Sequence, residues 1–332
     1  MIKYSKLMIA GFLLLIFSFS VMPCMAGKII PPKGYPTHPI EYIIPWGVGG
    51  GADVMSRMLC KVAEKITDVK LVPLNYPGAA GVAGVNELMS RPADGYSLVA
   101  ILSDWCVSLA LKNTKYTVDD IVYLVRFSHD IETVTVKSRD PRFPDWQSLV
   151  NYARGKPGKL SVATSGTGSI DDVILGILEQ AWEFTSKHVP FVTLGERSAA
   201  ILGGHTDAIQ EQPGDLYPLV KEGKLKPLIV LKEERIDHPV FKDVPTAKEL
   251  GHELTMAIWR GIGAKKGTPK KILTFWEKVF LEAQDDPEFK ALMQKRFNHL
   301  RVGKLGSKEF TEVVHKDLKN VIAVFKQMGI MK

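Results

Sequence analysis

An apolar run that breaks into glycine constrains this chain more than any other feature. Ile43-Ile44-Pro45-Trp46 leads into Gly47-Val48-Gly49-Gly50-Gly51, and Ala52-Asp53-Val54-Met55-Ser56-Arg57 continues with helical spacing. The order reads as a strand, a tight turn and the first turn of a helix. Glycines let the backbone approach a ligand closely, because no Cβ stands in the way. A helix start adds unpaired N–H groups and the positive end of a dipole, so the stretch is prepared for an anion.

The same arrangement recurs along the chain. A strand over 70–75 runs into Tyr76-Pro77-Gly78-Ala79-Ala80-Gly81, with a helix from Val82. A strand over 96–102 ends at Ser103-Asp104-Trp105. In the second half, a strand over 160–164 gives way to Ser165-Gly166-Thr167-Gly168-Ser169 and a helix that opens with Asp171 and Asp172. Further strands are expected over 133–137, 188–192, 207–209 and 225–231, and further helices over 146–154, 199–203, 246–250, 270–283, 287–297 and 308–328. Strands alternating with helices predict an α/β fold of right-handed βαβ units around parallel sheets. Ligands collect at the carboxyl ends of such strands. The chain of 332 residues is long enough for two α/β domains that face each other across a cleft.

Composition narrows the class. Hydrophobic content of 45% and charged content of 24% are those of a globular protein. The formal charge of +7 is scattered, with no basic run or aromatic-interleaved stripe, which argues against nucleic acid and for attraction of anionic small molecules. The N-terminus has a basic start at Lys3 and Lys6, an apolar stretch from Leu7 to Phe19, and Cys24-Met25-Ala26 before Gly27. That is the layout of a cleaved signal peptide, and the apolar stretch is short of the roughly twenty residues that span a bilayer. The expectation is export to the periplasm as a monomer. Lipid attachment at Cys24 is the alternative, disfavoured by the preceding Pro23. Cys60 and Cys106 read as buried thiols or, in an oxidising compartment, a disulfide.

Three chemistries compete for these loops. A dinucleotide site lacks the acid at the end of the second strand, and a P-loop lacks its Gly-Lys-Ser/Thr. A hydrolase could draw on Ser103, Ser165, Ser169, His188, His205 and Asp207, but no Gly-x-Ser-x-Gly elbow is present. The histidines show no metal-ligand spacing. No cofactor or metal is expected, and the glycine loops read as a hydrogen-bonding cradle. Asp53 either complements its helix N-terminus or orients the loop beneath a ligand. Trp46, inside a glycine turn, reads as a pocket wall.

Taken in order, the motifs resemble the Bug-type receptors of tripartite tricarboxylate transporters. The resemblance rests on Tyr35-Pro36 with Pro39-Ile40, Pro45-Trp46, Gly49-Gly50-Gly51-x-Asp53 with Arg57, Pro77 to Gly81, and Pro92-Ala93-Asp94-Gly95-Tyr96. It continues through Pro157 to Leu160, His188-Val189-Pro190-Phe191, Leu202 to Asp207, Gly223 to Leu225, Asp243 to Thr246 and Trp259-Arg260-Gly261. It implies a type II periplasmic-binding-protein fold, two Rossmann-like domains with a hinge that the chain crosses twice. After a signal peptide of 1–26, the first domain would comprise 27–127 with 246–332, and the second 128–245. It implies a small organic carboxylate or amino acid as ligand and the permease subunits of a transporter as partner; a signalling partner is the alternative. Carried over by position, the ligand contacts are Trp46, Gly47, Val48, Gly49, Gly50, Gly51, Asp53, Ala79, Ala80, Gly81, Val82 and Ser103 on one side. On the other they are Ser165, Gly166, Thr167, Gly168, Ser169 and, through water, Asp207. Ala80 stands where the family often has glycine. Asp104 stands where small neutral residues are common, and at the mouth of the third strand it would repel a dianion unless a cation offsets it. The expected ligand therefore carries an amino group, or a single carboxylate turned away from Asp104.

Overall fold

The computed structural model describes residues 28–254, 257–327 and 330–331. The expected signal peptide, with Lys3, Lys6 and Cys24, lies outside them. In chain order the first half contains β1 (Ile40–Ile44), α1 (Gly51–Thr67), β2 (Leu71–Asn75), α2 (Val82–Ser90), β3 (Ser97–Leu102), α3 (Asp104–Ala110) and β4 (Ile121–Ile131). Then follow β5 (Thr133–Lys137), α4 (Trp146–Gly155), β6 (Leu160–Thr164), α5 (Ile170–Ala181), β7 (Ser186–Pro190), α6 (Leu194–Gly203), β8 (Ala208–Glu211), α7 (Pro213–Lys221) and β9 (Leu225–Val230). The chain returns through β10 (Ala257–Lys265) to α8 (Lys270–Ala283), α9 (Pro287–Lys295) and α10 (Ser307–Gln327).

The described strands form two sheets, ordered β2-β1-β3-β10-β4 and β7-β6-β8-β5-β9. The second repeats the first, with β6 in the place of β1. In each sheet one strand arrives from the other half of the chain: β10 runs antiparallel to β3 and β4, and β5 antiparallel to β8 and β9. The sheets are therefore mixed, where alternation of strand and helix predicted parallel ones. Strand β4 passes into β5 through Glu132 alone. The crossing thus lies beyond the expected boundary between residues 127 and 128, which falls inside β4.

Amphipathic helices close each sheet. Helix α1 lays Met55, Leu59, Val62 and Ala63 against Ile40, Tyr42 and Ile44 of β1, and Trp276 and Phe280 of α8 complete that core. Burial contributes about 1.5–3 kcal/mol for each of the larger aliphatic side chains among them, such as Met55, Leu59 and Ile40. The helix stops at Asp68, whose left-handed φ of 60° lets its amide reach back to Glu64 O. On β10, a Cβ at Gly261 would sit 2.2 Å from the Phe310 ring, so the glycine lets α10 close on the sheet. In the second half Trp146 meets Trp182 edge-on at 5.2 Å, over Val134, Leu160 and Ile174.

Because β1 and β3 run parallel, the loops after them emerge at one sheet edge. The parallel pair β6 and β8 does the same in the second half. These two edges face each other. No helix among the described residues is long and apolar enough to cross a membrane.

Candidate functional site

The first wall is the glycine loop with the N-terminus of α1. No side chain caps that terminus at Gly50, and the amides of its first turn have no preceding carbonyl to meet. Asp53 is buried and turned away from the opening. It accepts from Gly49 N at 3.0 Å, Arg57 Nε at 2.8 Å and Asn75 Nδ2 at 2.9 Å, while Asn75 also donates to Trp46 O at 2.8 Å. It splints the loop from behind. A Cβ at Gly51 would lie 2.9 Å from Arg296 Nη2 and 3.0 Å from Arg260 Nη2, so two guanidiniums stand directly against the helix start. A Cβ at Gly47 would lie 2.9 Å from Thr193 Cγ2 of the opposite wall, which shows how closely the halves approach.

The remaining first-half residues divide. Trp46, Gly47, Gly50, Gly51 and Asp104 line the cleft, while Val48 is 67% exposed beside it. Ala80 and Gly81 pack behind Trp46, Gly81 with its Cβ position 3.8 Å from the indole nitrogen. Ala79 and Ala80 hold left-handed φ angles of 48° and 50°, a conformation that disfavours any side chain. Ser103 is buried and lines a separate, larger cavity of about 610 Å³, between α5 and α10.

Asp104 stands at the end of β3 and lines the cleft, but it is not exposed there. It is buried, and its Oδ1 accepts the amide of Ile170 at 2.8 Å, bridging from β3's end to the N-terminus of α5. Burial pushes its carboxyl up to about 6, against the pull of the Ile170 amide and Arg260.

The second wall differs from its expected form. Ser165 N donates to Asp171 Oδ2 at 2.9 Å, Gly168 N to Asp172 Oδ2 at 2.7 Å, and Ser169 Oγ caps α5 by accepting from Asp172 N. The amides of Val192 and Thr193 go to Glu196. Of the expected stretch only Ser165 lines the cleft, joined by Ile170 and Asp171; Gly168 gives its amide to Asp172, and Ser169 serves as the cap of α5. Asp207 lies elsewhere. It precedes β8, accepts from Ser161 N at 2.9 Å and Arg142 at 2.8 Å, and so sits at the amino ends of β6 and β8, opposite the cleft.

The cleft, about 60 Å³, holds a charged network that the loop motifs did not indicate. Arg197 in the first turn of α6 pairs with Glu211 at the end of β8. Gln212 donates to Glu132 Oε1 at 2.6 Å and accepts from Arg260 Nη2 at 3.0 Å. Arg260 pairs with Asp130, and Arg296 with Asp215. Burial opposes the charge on Arg197, but Glu211, Asp171 and Asp215 outweigh it and raise its pKa. Burial, aided by neighbouring carboxylates, pushes Glu132, Asp171 and Asp215 upward. Arg260, a charge in the middle of an apolar strand, was the one visible signal of this network. Outside the cleft lining, His188 Nδ1 lies 3.1 Å from Asp172 and Nε2 3.4 Å from Glu179.

The model of the tripartite tricarboxylate transporter family receptors matches residues 55–330. A UPF0065 protein encoded in the gbd 5′ region of Cupriavidus necator is 27% identical over 299 residues, 90% of each chain. A TctC solute binding protein from Polaromonas is similar in structure, with a TM-score of 0.65 and 26% identity over 88% of this chain and 99% of that one. MatC from Rhodopseudomonas palustris, solved with bound malate, has a TM-score of 0.79 and 22% identity over 87% of this chain and 99% of that one.

Proposed function

We propose, since the chain belongs to the tripartite tricarboxylate transporter receptor family, that it captures a small organic carboxylate in this cleft and delivers it to membrane permease subunits. The observation that carries the proposal is the uncapped N-terminus of α1, which opens into the cleft with Arg260 and Arg296 against Gly51. A carboxylate placed there would meet helix-end amides, the dipole's positive end and two guanidinium charges. The malate held by MatC supports that ligand class. The two halves would act as domains hinged at Glu132 and at the segment between β9 and β10. Closure is favoured by whatever the ligand gains from touching both walls at once. The N-terminal layout supports a periplasmic location.

Gly50→Val tests the site. The nearest atom to a Cβ at Gly50 is Gly47 O at 3.9 Å, and Gly50 has an ordinary φ of −77°, so the fold tolerates the change. The expected result is a thermal midpoint unchanged without ligand and affinity for the best carboxylate weakened at least tenfold by calorimetry. Wild-type affinity in that variant places the ligand elsewhere. Delivery is tested by uptake of the same carboxylate into cells with and without the gene.

A further inference from the structure

The two walls are not equally available to an anion. In the second half, the amides at the cleft edge are occupied by the chain's own carboxylates: Ile170 by Asp104, Ser165 by Asp171, and Gln212 by Glu211. An incoming carboxylate would have to displace one of them. Among the residues lining the cleft, the acids Asp104, Asp171, Glu211 and Asp215 outnumber the arginines Arg197 and Arg260. Glu211 is satisfied by Arg197 and Asp215 by Arg296. Asp171 is not so matched. It is 2% exposed, lines the cleft, and its Oδ1 has no hydrogen-bond partner among the described residues. A buried carboxylate oxygen without a donor is costly, and a cation supplied from outside removes that cost.

We infer that the ligand carries a protonated amino group beside its carboxylate, with the carboxylate on the α1 side and the ammonium against Asp171, Asp104 standing next to it. The inference rests on the carboxylate-receptor reading above and specifies its ligand as a zwitterion. Recognition at Asp171 is by charge and hydrogen bonding alone: the ammonium supplies the donor that Oδ1 lacks, and its charge offsets the surplus acid. A plain dicarboxylate would bring a second negative charge to a wall that already holds an excess of them.

Calorimetry on the full chain with matched pairs decides the matter: amino acids of two to six carbons, each beside the same acid without its amino group, such as aspartate with succinate and alanine with propionate. The expected result is at least one amino member bound tenfold or more tightly than its partner. Asp171→Asn, which keeps the acceptor for Ser165 N, should weaken the amino member and strengthen its partner acid, so that the preference is erased. If the des-amino acids bind as well as or better than their partners, the inference falls and the carboxylate receptor stands. If no member of either series binds, both fall. Should Asp171→Asn fail to fold, the wild-type pairs decide alone, and Asp104→Asn, expected to narrow the preference, serves as the second variant.

Discussion

The two walls of the cleft are built from the same parts and use them differently. Each is a loop after a parallel strand that runs into a helix. In the first, glycines leave the start of α1 uncapped and Asp53 works from behind, holding Gly49, Arg57 and Asn75. In the second, Ser169 caps α5 and Asp104, Asp171 and Asp172 take the amides around it. A helix N-terminus is an anion site only while its amides are free, and one carboxylate from within the chain reverses the sign of what it attracts. The comparison teaches that loop motif alone does not define ligand charge; the partners of the amides do.

The largest expected effect comes from breaking the second wall's ion pair. Arg197→Ala leaves Glu211 buried without its cation and should cost about 3–5 kcal/mol in denaturant unfolding. A loss below 1 kcal/mol would mean that Glu211 does not depend on Arg197, and the contrast between the walls would weaken. The next effect concerns pH. Burial opposes the charge on His188, yet its hydrogen bonds to Asp172 and Glu179 prevail and raise its pKa to about 9. An unfolded histidine titrates near 6.5. Between these values the folded state holds more protons, so the stabilisation is complete below about 6.5 and is lost as pH rises through 9. The thermal midpoint should fall from pH 6.5 to 9, and His188→Gln should flatten that fall. His129, which burial lowers to about 4, acts only below this window, with the opposite sign.

A smaller effect sharpens the first wall. Ala80→Gly removes a left-handed alanine and should stabilise by about 1 kcal/mol after glycine's greater chain entropy is counted. Denaturant midpoints of the two proteins measure it. The smallest is a control: Asp207→Asn loosens a half-exposed contact with Arg142 and should cost less than about 1 kcal/mol, with ligand affinity unchanged by calorimetry. A drop in affinity there would return Asp207 to the site.

Legibility followed locality. The glycine turn, α1 and the loop after β6 were readable because their requirement for small residues and helix starts is set within a few positions. Strands β4 and β10 were missed since both are buried on nearly their whole length and show no alternation. The short α3 follows Ser103 directly and α7 carries Pro213 and Pro218, so neither shows a helical pattern in the sequence. The helix expected over 246–250 is a series of turns, and Thr246 bridges to Val230. The charged network was hidden for a different reason. Arg260 meets Gln212 and Asp130 only because β10 crosses back between β3 and β4, and no local pattern records that crossing. Asp207 was misplaced by strand direction: it enters β8, whereas Ser165 leaves β6.

The most direct test is a crystal structure of the chain with the tightest zwitterion from the paired series. The account predicts its carboxylate on the amides at Gly50 and Gly51 and its ammonium within hydrogen-bond distance of Asp171 Oδ1. A carboxylate on the Ile170 side, or a ligand seated in the cavity beside Ser103, would contradict it.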